Sequence, residues 1–401
     1  MPAIKCGRAP FRDVIIGMRT TAKARGMGDD LRRALVGIEA KTAAKVGAGW
    51  WDLREGPDGK VVSMQRKRKR ILGEKGRDAC YHVMSRTVGG EVFFDDVEKE
   101  ALRKLIWKMA RFSMVKVVTY AVMGNHFHVL AVVPDAEKTL EKFRQPGGEK
   151  LLLKHISCLY SLDAVQILEN QLQTLRKRGE EKARKEIIER LLARMCDVSR
   201  FVNEVKVRFT RWYNRRHERK GTLWMERFKS VLIGSDAAMR SVALYIDLNP
   251  VRARLVDDPV NYRWCGWAEA EAGGSRRARR GICKAVHCAV DSWERGDGTA
   301  RKLYREALAF VIAREARVGD RQGSTNDSAL TRHLMRRTRY FSDSLVIGTR
   351  GFVEDAFRRY AGSFSDKRKT LASRIRVPDK RGRLQDENHF TMKNLVKDVW
   401  G

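Results

Sequence analysis

Apolar and polar positions along the chain change their period several times, and each change predicts an element. Residues 115–122 (VKVVTYAV) and 126–133 (HFHVLAVV) are strand-length runs rich in β-branched and aromatic residues, with Gly124-Asn125 between them. They predict a hairpin in which Gly124 takes the positive φ of a primed turn. Residues 79–87 (ACYHVMSRT) read as an earlier strand that ends at a Gly89-Gly90 turn. Asp95 and Glu98 form a capping-box pattern, and the helix they open places Leu102, Leu105, Ile106 and Met109 on one face. Residues 198–213, ending in RFTRWY, fit a second helix, and 228–233 (FKSVLI) a further strand. The order β-α-β-β-α-β predicts an α+β, ferredoxin-like unit: an antiparallel sheet with helices on one face.

That unit is interrupted between its hairpin and its second helix, over residues 135–196. Leu168, Leu172 and Leu175 share one helical face, and Ile188, Leu191, Leu192 and Met195 share another, with Gly179 in the charged turn RKRGEEK. An inserted helical hairpin at a loop tip is expected. Residues 1–63, rich in Ala, Gly and Arg, predict a basic, partly disordered appendage with a helix over 29–44 and Trp50-Trp51 as its apolar anchor. Residues 64–75 form a basic arm around Arg66, Lys67, Arg68, Lys69 and Arg70, of the kind that grips phosphates. The main domain spans 76–267. Gly273-Gly274 and the run Arg276-Arg277-Ala278-Arg279-Arg280 mark 268–283 as a basic linker. Residues 284–401 read as a mostly helical C-terminal region, in which Arg332, Arg336, Arg337 and Arg339 cluster near His333 and Tyr340. Such a cluster is either a solvated helix face or a surface for stacked bases.

Candidate chemistry sits on the hairpin. If His126 opens a strand, His126, His128 and Leu130 share one face while Phe127 and Val129 anchor the other. Two imidazoles side by side on a rigid strand suit one divalent cation, although a His-x-His pair in a strand is more often plain structure. About a hundred residues later comes LYIDLNP, residues 244–250, after a helix opening at Ser235-Asp236. Tyr245 and Asn249 are four apart, so a continuous helix would offer a nucleophilic hydroxyl and an oxygen ligand together. The plainer alternatives are a half-buried Tyr245 packing among Val242, Leu244 and Leu248, and an Asn249 that N-caps a new helix ahead of Pro250.

Charge narrows the partners. With 82 Lys and Arg against 49 Asp and Glu, the formal net charge is +33, which points to a polyanion. An apolar share of 43% is enough for a real core. No run approaches the roughly 18 apolar residues of a membrane span and no secretory h-region opens the chain, so nucleic acid in the cytoplasm is expected rather than a membrane. Seven scattered cysteines without a Cys-x-x-Cys pair argue against a disulfide framework. Cys283, His287 and Cys288 lack the fourth ligand that zinc would need.

YHVMSR (81–86), GNHFHVL (124–130), Arg227-Phe228-Lys229-Ser230 and YIDLNPVRARLV (245–256) together resemble the single-tyrosine HUH transposases of small insertion sequences, most of all their REP-associated tyrosine transposase branch. The resemblance covers 76–267, and residues 336–357 are similar to C-terminal extensions of longer members. It implies that His126 and His128 bind metal, that Tyr245 is the nucleophile, and that Asn249 is the third ligand, although other branches place a Gln on that helix. Mg²⁺ or Mn²⁺ would be the cofactor, and single-stranded or hairpin DNA the substrate, cleaved and rejoined through a 5′-phosphotyrosine. Arg86, Arg227, Lys229 and Arg252, within the matching stretches, would join the basic arm in contacting DNA. Homodimerisation is compatible with this expectation. The rivals are a captured protein that binds structured DNA without cutting it, and a metal-dependent phosphodiesterase that uses water. Tyr213 is the rival nucleophile.

Overall fold

The computed structural model describes residues 53–55, 61–63, 70–293, 298–319, 340–361, 373–378 and 384–393. The chain divides into two units, Met1–Arg68 and Lys69–Gly401. In the first unit, β1 (Leu53–Glu55) and β2 (Val61–Ser63) pair antiparallel, Leu53 opposite Ser63. The helix expected over 29–44, the Trp50-Trp51 pair and the basic residues Arg66, Lys67, Arg68 and Lys69 lie outside the described residues.

The second unit is built on one sheet. Its first four strands are β3 (Ala79–Arg86), β4 (Lys116–Val122), β5 (His126–Val133) and β6 (Lys229–Ile233). They stand in the order β4-β5-β3-β6, every neighbouring pair antiparallel. Helix α1 (Asp96–Phe112) connects β3 to β4, and its N-cap Asp95 accepts from the backbone N–H groups of Val97 and Glu98. Between β5 and β6 run α2 (Ala136–Arg144), α3 (Gly148–Ile156), α4 (Leu162–Lys177), α5 (Glu181–Leu192) and α6 (Val198–Arg216). The hairpin expected around Gly179 is the pair α4 and α5, with Gly179 at φ 70°; α2 and α3 precede it and enlarge the insertion.

Three expectations are corrected. Gly124 does not take a positive φ. Its lack of a side chain instead admits Val92, whose Cγ1 would lie 2.9 Å from an added Cβ, while its carbonyl accepts from Phe93 and Phe94 N–H. Secondly, helices cover both faces of the sheet. Tyr120 meets Trp107 of α1, and Phe127 meets Trp224, which packs on Phe209 of α6. On the opposite face, His128 and Thr119 meet α7 (Asp236–Asp247), which is followed by α8 (Asn249–Arg252). Strands β4 and β5 are buried on both sides, which is why they read as continuous apolar runs rather than strict alternation.

The third correction concerns everything after Trp267. The expected linker is two packed helices, α9 (Gly266–Glu271) and α10 (Arg276–Ala285). Helix α10 keeps Arg276, Arg277 and Arg280 in solvent and buries Ala278, Ile282 and Cys283. A Cβ on Gly281 would stand 2.2 Å from the Val118 carbonyl oxygen of β4, so only glycine allows this approach. The expected mostly helical C-terminal region contains α11 (Thr299–Gly319), α12 (Tyr340–Asp343) and α13 (Arg350–Arg359), but it also extends the sheet. Strands β7 (Ser344–Gly348), β8 (Ser373–Pro378) and β9 (Leu384–Lys393) continue it in the order β6-β7-β9-β8, with β6 and β7 parallel. The run Leu345-Val346-Ile347 is too short for periodicity to separate a buried strand from a helix. The cluster Arg332, Arg336, Arg337 and Arg339 lies outside the described residues.

Gly281→Ala should therefore force α10 off β4 and destabilise the unit by roughly 1–3 kcal/mol, read as a lower urea midpoint. Gly351→Ala, where an added Cβ meets nothing within 4 Å, is the control and should be neutral or slightly stabilising. Equal midpoints for the two variants would contradict the packing described.

Candidate active site

Register decides which side chains converge. Across β3 and β5, Arg86 is opposite His126, Met84 opposite His128, and His82 opposite Leu130. Paired residues share a face, so His82, Arg86, His126 and His128 all project toward α7. Lys229 of β6, opposite Met84, joins the same face. Ser235 caps α7 by accepting from Ala238 N–H, and the helix runs back across the sheet until Tyr245 faces the histidines. The Tyr245 ring centroid lies 6.0 Å from that of His128 and 6.1 Å from that of His82. His126 and His128 are 5.1 Å apart, nearly perpendicular.

Hydrogen bonds fix these rings. His126 Nδ1 is 2.6 Å from Asn125 Oδ1, and Asn125 Nδ2 donates to the Gly90 carbonyl, which sets the orientation of that amide. His128 Nδ1 is 2.9 Å from His82 Nε2, and His82 Nδ1 is 2.6 Å from the Phe341 carbonyl oxygen. Burial pushes His82 down to about 4, against the pull of its bond to Phe341. His128 is held well below the usual imidazole range by burial and by His126, His82, Arg252 and Arg86 around it. Both rings are neutral at pH 7, the state a metal ligand needs.

Tyr245 is 4% exposed rather than half-buried. Phe341 lies 4.8 Å from its ring, and the Arg252 guanidinium carbon sits 3.9 Å from the ring centroid. Arg252 Nη2 also donates to the Tyr245 carbonyl. Burial lowers Arg252 to about 10, against the pull of Tyr245, although the residue keeps part of its surface in solvent. Asn249 neither caps a new helix nor breaks α7 sharply, because Leu248 and Ala253 both stay in the helical region. Its amide nitrogen donates to the Tyr245 and Ile246 carbonyls. Pro250 has no N–H to offer Ile246, and Asn249 supplies the missing donor. Only Oδ1 of Asn249 is of ligand type.

Other sequence candidates separate clearly. Tyr213 is buried on the opposite face of the sheet, in a cluster with Phe94 and Phe209. Arg70 stacks on Phe228, its Cζ 4.3 Å from the ring, and donates to Ser230. Arg227 is exposed, whereas Lys229 is paired at 2.8 Å with Asp343 of α12. His82 and Phe341 are the residues that sequence reasoning missed. The strand around His82 was legible, but not the register that sets it diagonally beside His128.

No group of three or more His, Cys, Asp or Glu that could hold a metal ion occurs among the described residues. By donor chemistry the neighbouring imidazoles of His126 and His128 fit a divalent cation, with oxygen from Asn249 or substrate making up the rest. Behind the site, the Asp247 carboxylate accepts from Thr119 Oγ1 at 2.8 Å, Tyr304 Oη at 2.6 Å and Trp267 N–H at 3.2 Å. Burial pushes it up to about 6 from an ordinary 3.8, although those hydrogen bonds pull the other way.

No protein-family model matches the chain, and no curated protein matches it significantly. Among solved structures it is similar to a REP-associated tyrosine transposase bound to a REP hairpin, at 15% identity and a TM-score of 0.33, over 53% of this chain and 87% of that one. A TM-score that low fixes neither the fold nor the chemistry of this chain, which rest on its own residues. No helix among the described residues is long and apolar enough to cross a membrane.

The Asp247 carboxyl gives a pH dependence of defined sign. A raised native value means that the folded state binds more protons than the unfolded one between about pH 4 and 6. Stability should fall as pH rises through that window, by up to about 3 kcal/mol, and Asp247→Asn should remove the slope. Urea unfolding of both proteins across the window checks this. A wild-type-minus-variant difference that does not move with pH would mean the carboxyl is already ionised below it.

Proposed function

We propose that the second unit cleaves and rejoins single-stranded DNA, beside hairpins, with Tyr245 as nucleophile and a 5′-phosphotyrosine as intermediate. One observation carries this reading: Tyr245 on a helix faces His128, which stands beside His126 on one strand, and the Arg252 guanidinium lies against the tyrosine ring. The antiparallel order β4-β5-β3-β6, with its β-α-β-β-α-β connection, supports the ferredoxin-like, HUH-type reading of the sheet. So does the motif set on which the transposase resemblance rests, since its four stretches contribute β3, β5, β6 and α7.

Each residue then has a task. His126 and His128 would hold a divalent cation, Mg²⁺ or Mn²⁺, with Asn249 Oδ1 as the third protein ligand. When bound, that cation supplies Lewis acidity at a non-bridging oxygen of the scissile phosphate. Tyr245 Oη forms a bond to phosphorus as the bond from phosphorus to the 3′ oxygen breaks, and the phenolic proton ends on the 3′-hydroxyl. A phenolate is a better leaving group than an alkoxide, so a 3′-hydroxyl can reverse the step and join strands without ATP. Arg252, stacked on the ring, fixes the direction in which Tyr245 points, and such a contact is worth roughly 0.5–2 kcal/mol. Arg86 and Lys229 supply positive charge on the same face for the incoming backbone.

One observation favours a second reading, a protein that binds structured DNA without cutting it. Tyr245 is enclosed, with Phe341 against its ring, so a phosphate reaches its hydroxyl only if the 340–343 segment yields. Covalent capture separates the two readings. Wild-type protein incubated with single-stranded hairpin-flanked DNA and Mn²⁺ should form an adduct that survives denaturing electrophoresis. Tyr245→Phe should abolish it while retaining binding, and Tyr213→Phe should not. Adducts that persist in Tyr245→Phe would remove the assignment, and their absence from the wild type would favour the binding protein.

Metal dependence has its own variant. His128 is 2% exposed, so its truncation also opens a cavity; His126, half-buried at the strand end, is the cleaner choice. His126→Ala should weaken Mn²⁺ binding by at least about 10-fold, since loss of a supporting group alone costs that much, with little change in melting temperature. Identical calorimetric titrations for variant and wild type would return the pair to plain structure.

A further inference from the structure

The proposed chemistry leaves one buried histidine without a task. His82, 1% exposed, lies between the Phe341 carbonyl and His128. We infer that His82 is a positioning residue: anchored by the Phe341 carbonyl, it holds His128 in the Nδ1–H tautomer and so turns the Nε2 lone pair of His128 toward the cation. This rests on the reading of His126 and His128 as ligands.

The proton count follows from the partners. A carbonyl oxygen only accepts, so His82 Nδ1 carries the proton that faces Phe341. In a neutral ring the other nitrogen, Nε2, is then bare. Two ring nitrogens 2.9 Å apart share a single proton, which must therefore belong to His128 Nδ1. That leaves Nε2 of His128 as its lone-pair nitrogen. The reverse arrangement, an imidazolium at His82 donating to His128, would bury a cation in a pocket whose charged neighbours are Arg252 and Arg86. A free imidazole favours the Nε2–H tautomer, which would turn the lone pair of His128 away from a metal. The second ligand obeys the same logic with different chemistry. Asn125 Oδ1 accepts from His126 Nδ1, and the Asn125 amide is itself pinned by the Gly90 carbonyl. Two unrelated partners thus impose the same tautomer on adjacent histidines, which chance packing does not require. Metal-bound histidines generally need such an outer partner.

The chain of bonds also gives the C-terminal segment a function. Phe341 belongs to α12, immediately before β7, and β7 lies beside β6 in the sheet. Its carbonyl holds His82 while its ring covers Tyr245. Ligand geometry and nucleophile are therefore both buttressed by a segment outside the four-strand unit.

The test uses the full chain with ¹⁵N-labelled histidine. Long-range ¹H–¹⁵N correlation on metal-free protein should find His128 as Nδ1–H. His82→Leu should shift His128 to Nε2–H and raise the Mn²⁺ dissociation constant roughly 10–100-fold, the usual effect of losing an outer partner. His82→Gln, whose side-chain carbonyl can accept from His128 and whose amide can donate to Phe341, should keep the tautomer and restore affinity close to wild type. An Nε2–H tautomer of His128 in the wild type would overturn the inference. So would a folded Leu variant with wild-type Mn²⁺ affinity, or equal loss in Leu and Gln variants without a tautomer change. Because the tautomer is read without DNA, a missing Tyr245 adduct alongside the expected tautomer and affinities would sink the cleavage reading and leave His82 its role.

Discussion

The buried Asp247 carboxylate is the fastening on which the site depends. It lies two residues after Tyr245 and accepts from three elements at once: Thr119 on β4, Trp267 N–H at the start of α9, and Tyr304 on α11. A helix docked only by apolar contact can slide or rotate among nearly equal packings. A buried carboxylate with three fixed donors cannot, because any displacement strands charge or donors away from water. The cost is an unfavourable ionised group in the core, and its raised titration reflects it. In exchange, the direction of Tyr245 is tied to β4, the strand next to the one that carries the histidines. Thr119, Tyr304 and Trp267 look like unremarkable core residues in the sequence, and their shared partner becomes evident only when the fold assembles.

How far the sequence speaks depends on the range of the interaction. Local signals were legible: Asp95 and Ser235 as caps, Gly179 as a helix–helix turn, and the alternation that puts His126 and His128 on one face. Pairings across the sheet were not, because register is set by partners distant in sequence. For that reason Tyr245 could be placed near the histidines by resemblance alone, while His82, in a strand already recognised, had no readable role. Composition misled wherever a charged surface hid an apolar back. The arginines of α10 look like a linker until Ala278, Gly281 and Ile282 are seen against β4. The short apolar run 345–347 gave no period at all.

Asn249 illustrates a different failure. Its spacing from Tyr245 suits an oxygen ligand, and its position before proline suits a cap, yet its amide nitrogen bridges two carbonyls of α7. The cause is Pro250, which leaves the Ile246 carbonyl without its normal donor four residues on. A side chain that repairs the backbone is held in one orientation, and Oδ1 is then aimed by the helix rather than by a metal. Structural and ligand roles are not exclusive here, since the two atoms of one amide can serve both.

The charge pattern around the histidines gives the last constraint on what the site can accept. Burial, and after it the imidazoles of His126 and His82 with Arg252 and Arg86, hold His128 well below the usual imidazole range. A divalent cation bound there, as proposed, would add positive charge to these surroundings. An anionic ligand entering with the metal or after it would offset that charge. A phosphodiester is a ligand of that kind. Lys229, on the same face, is meanwhile neutralised by Asp343 of α12, and Phe341 two residues earlier covers Tyr245. The same short segment therefore covers both Lys229 and Tyr245, so an anion that draws Lys229 away from Asp343 would loosen the cover over Tyr245.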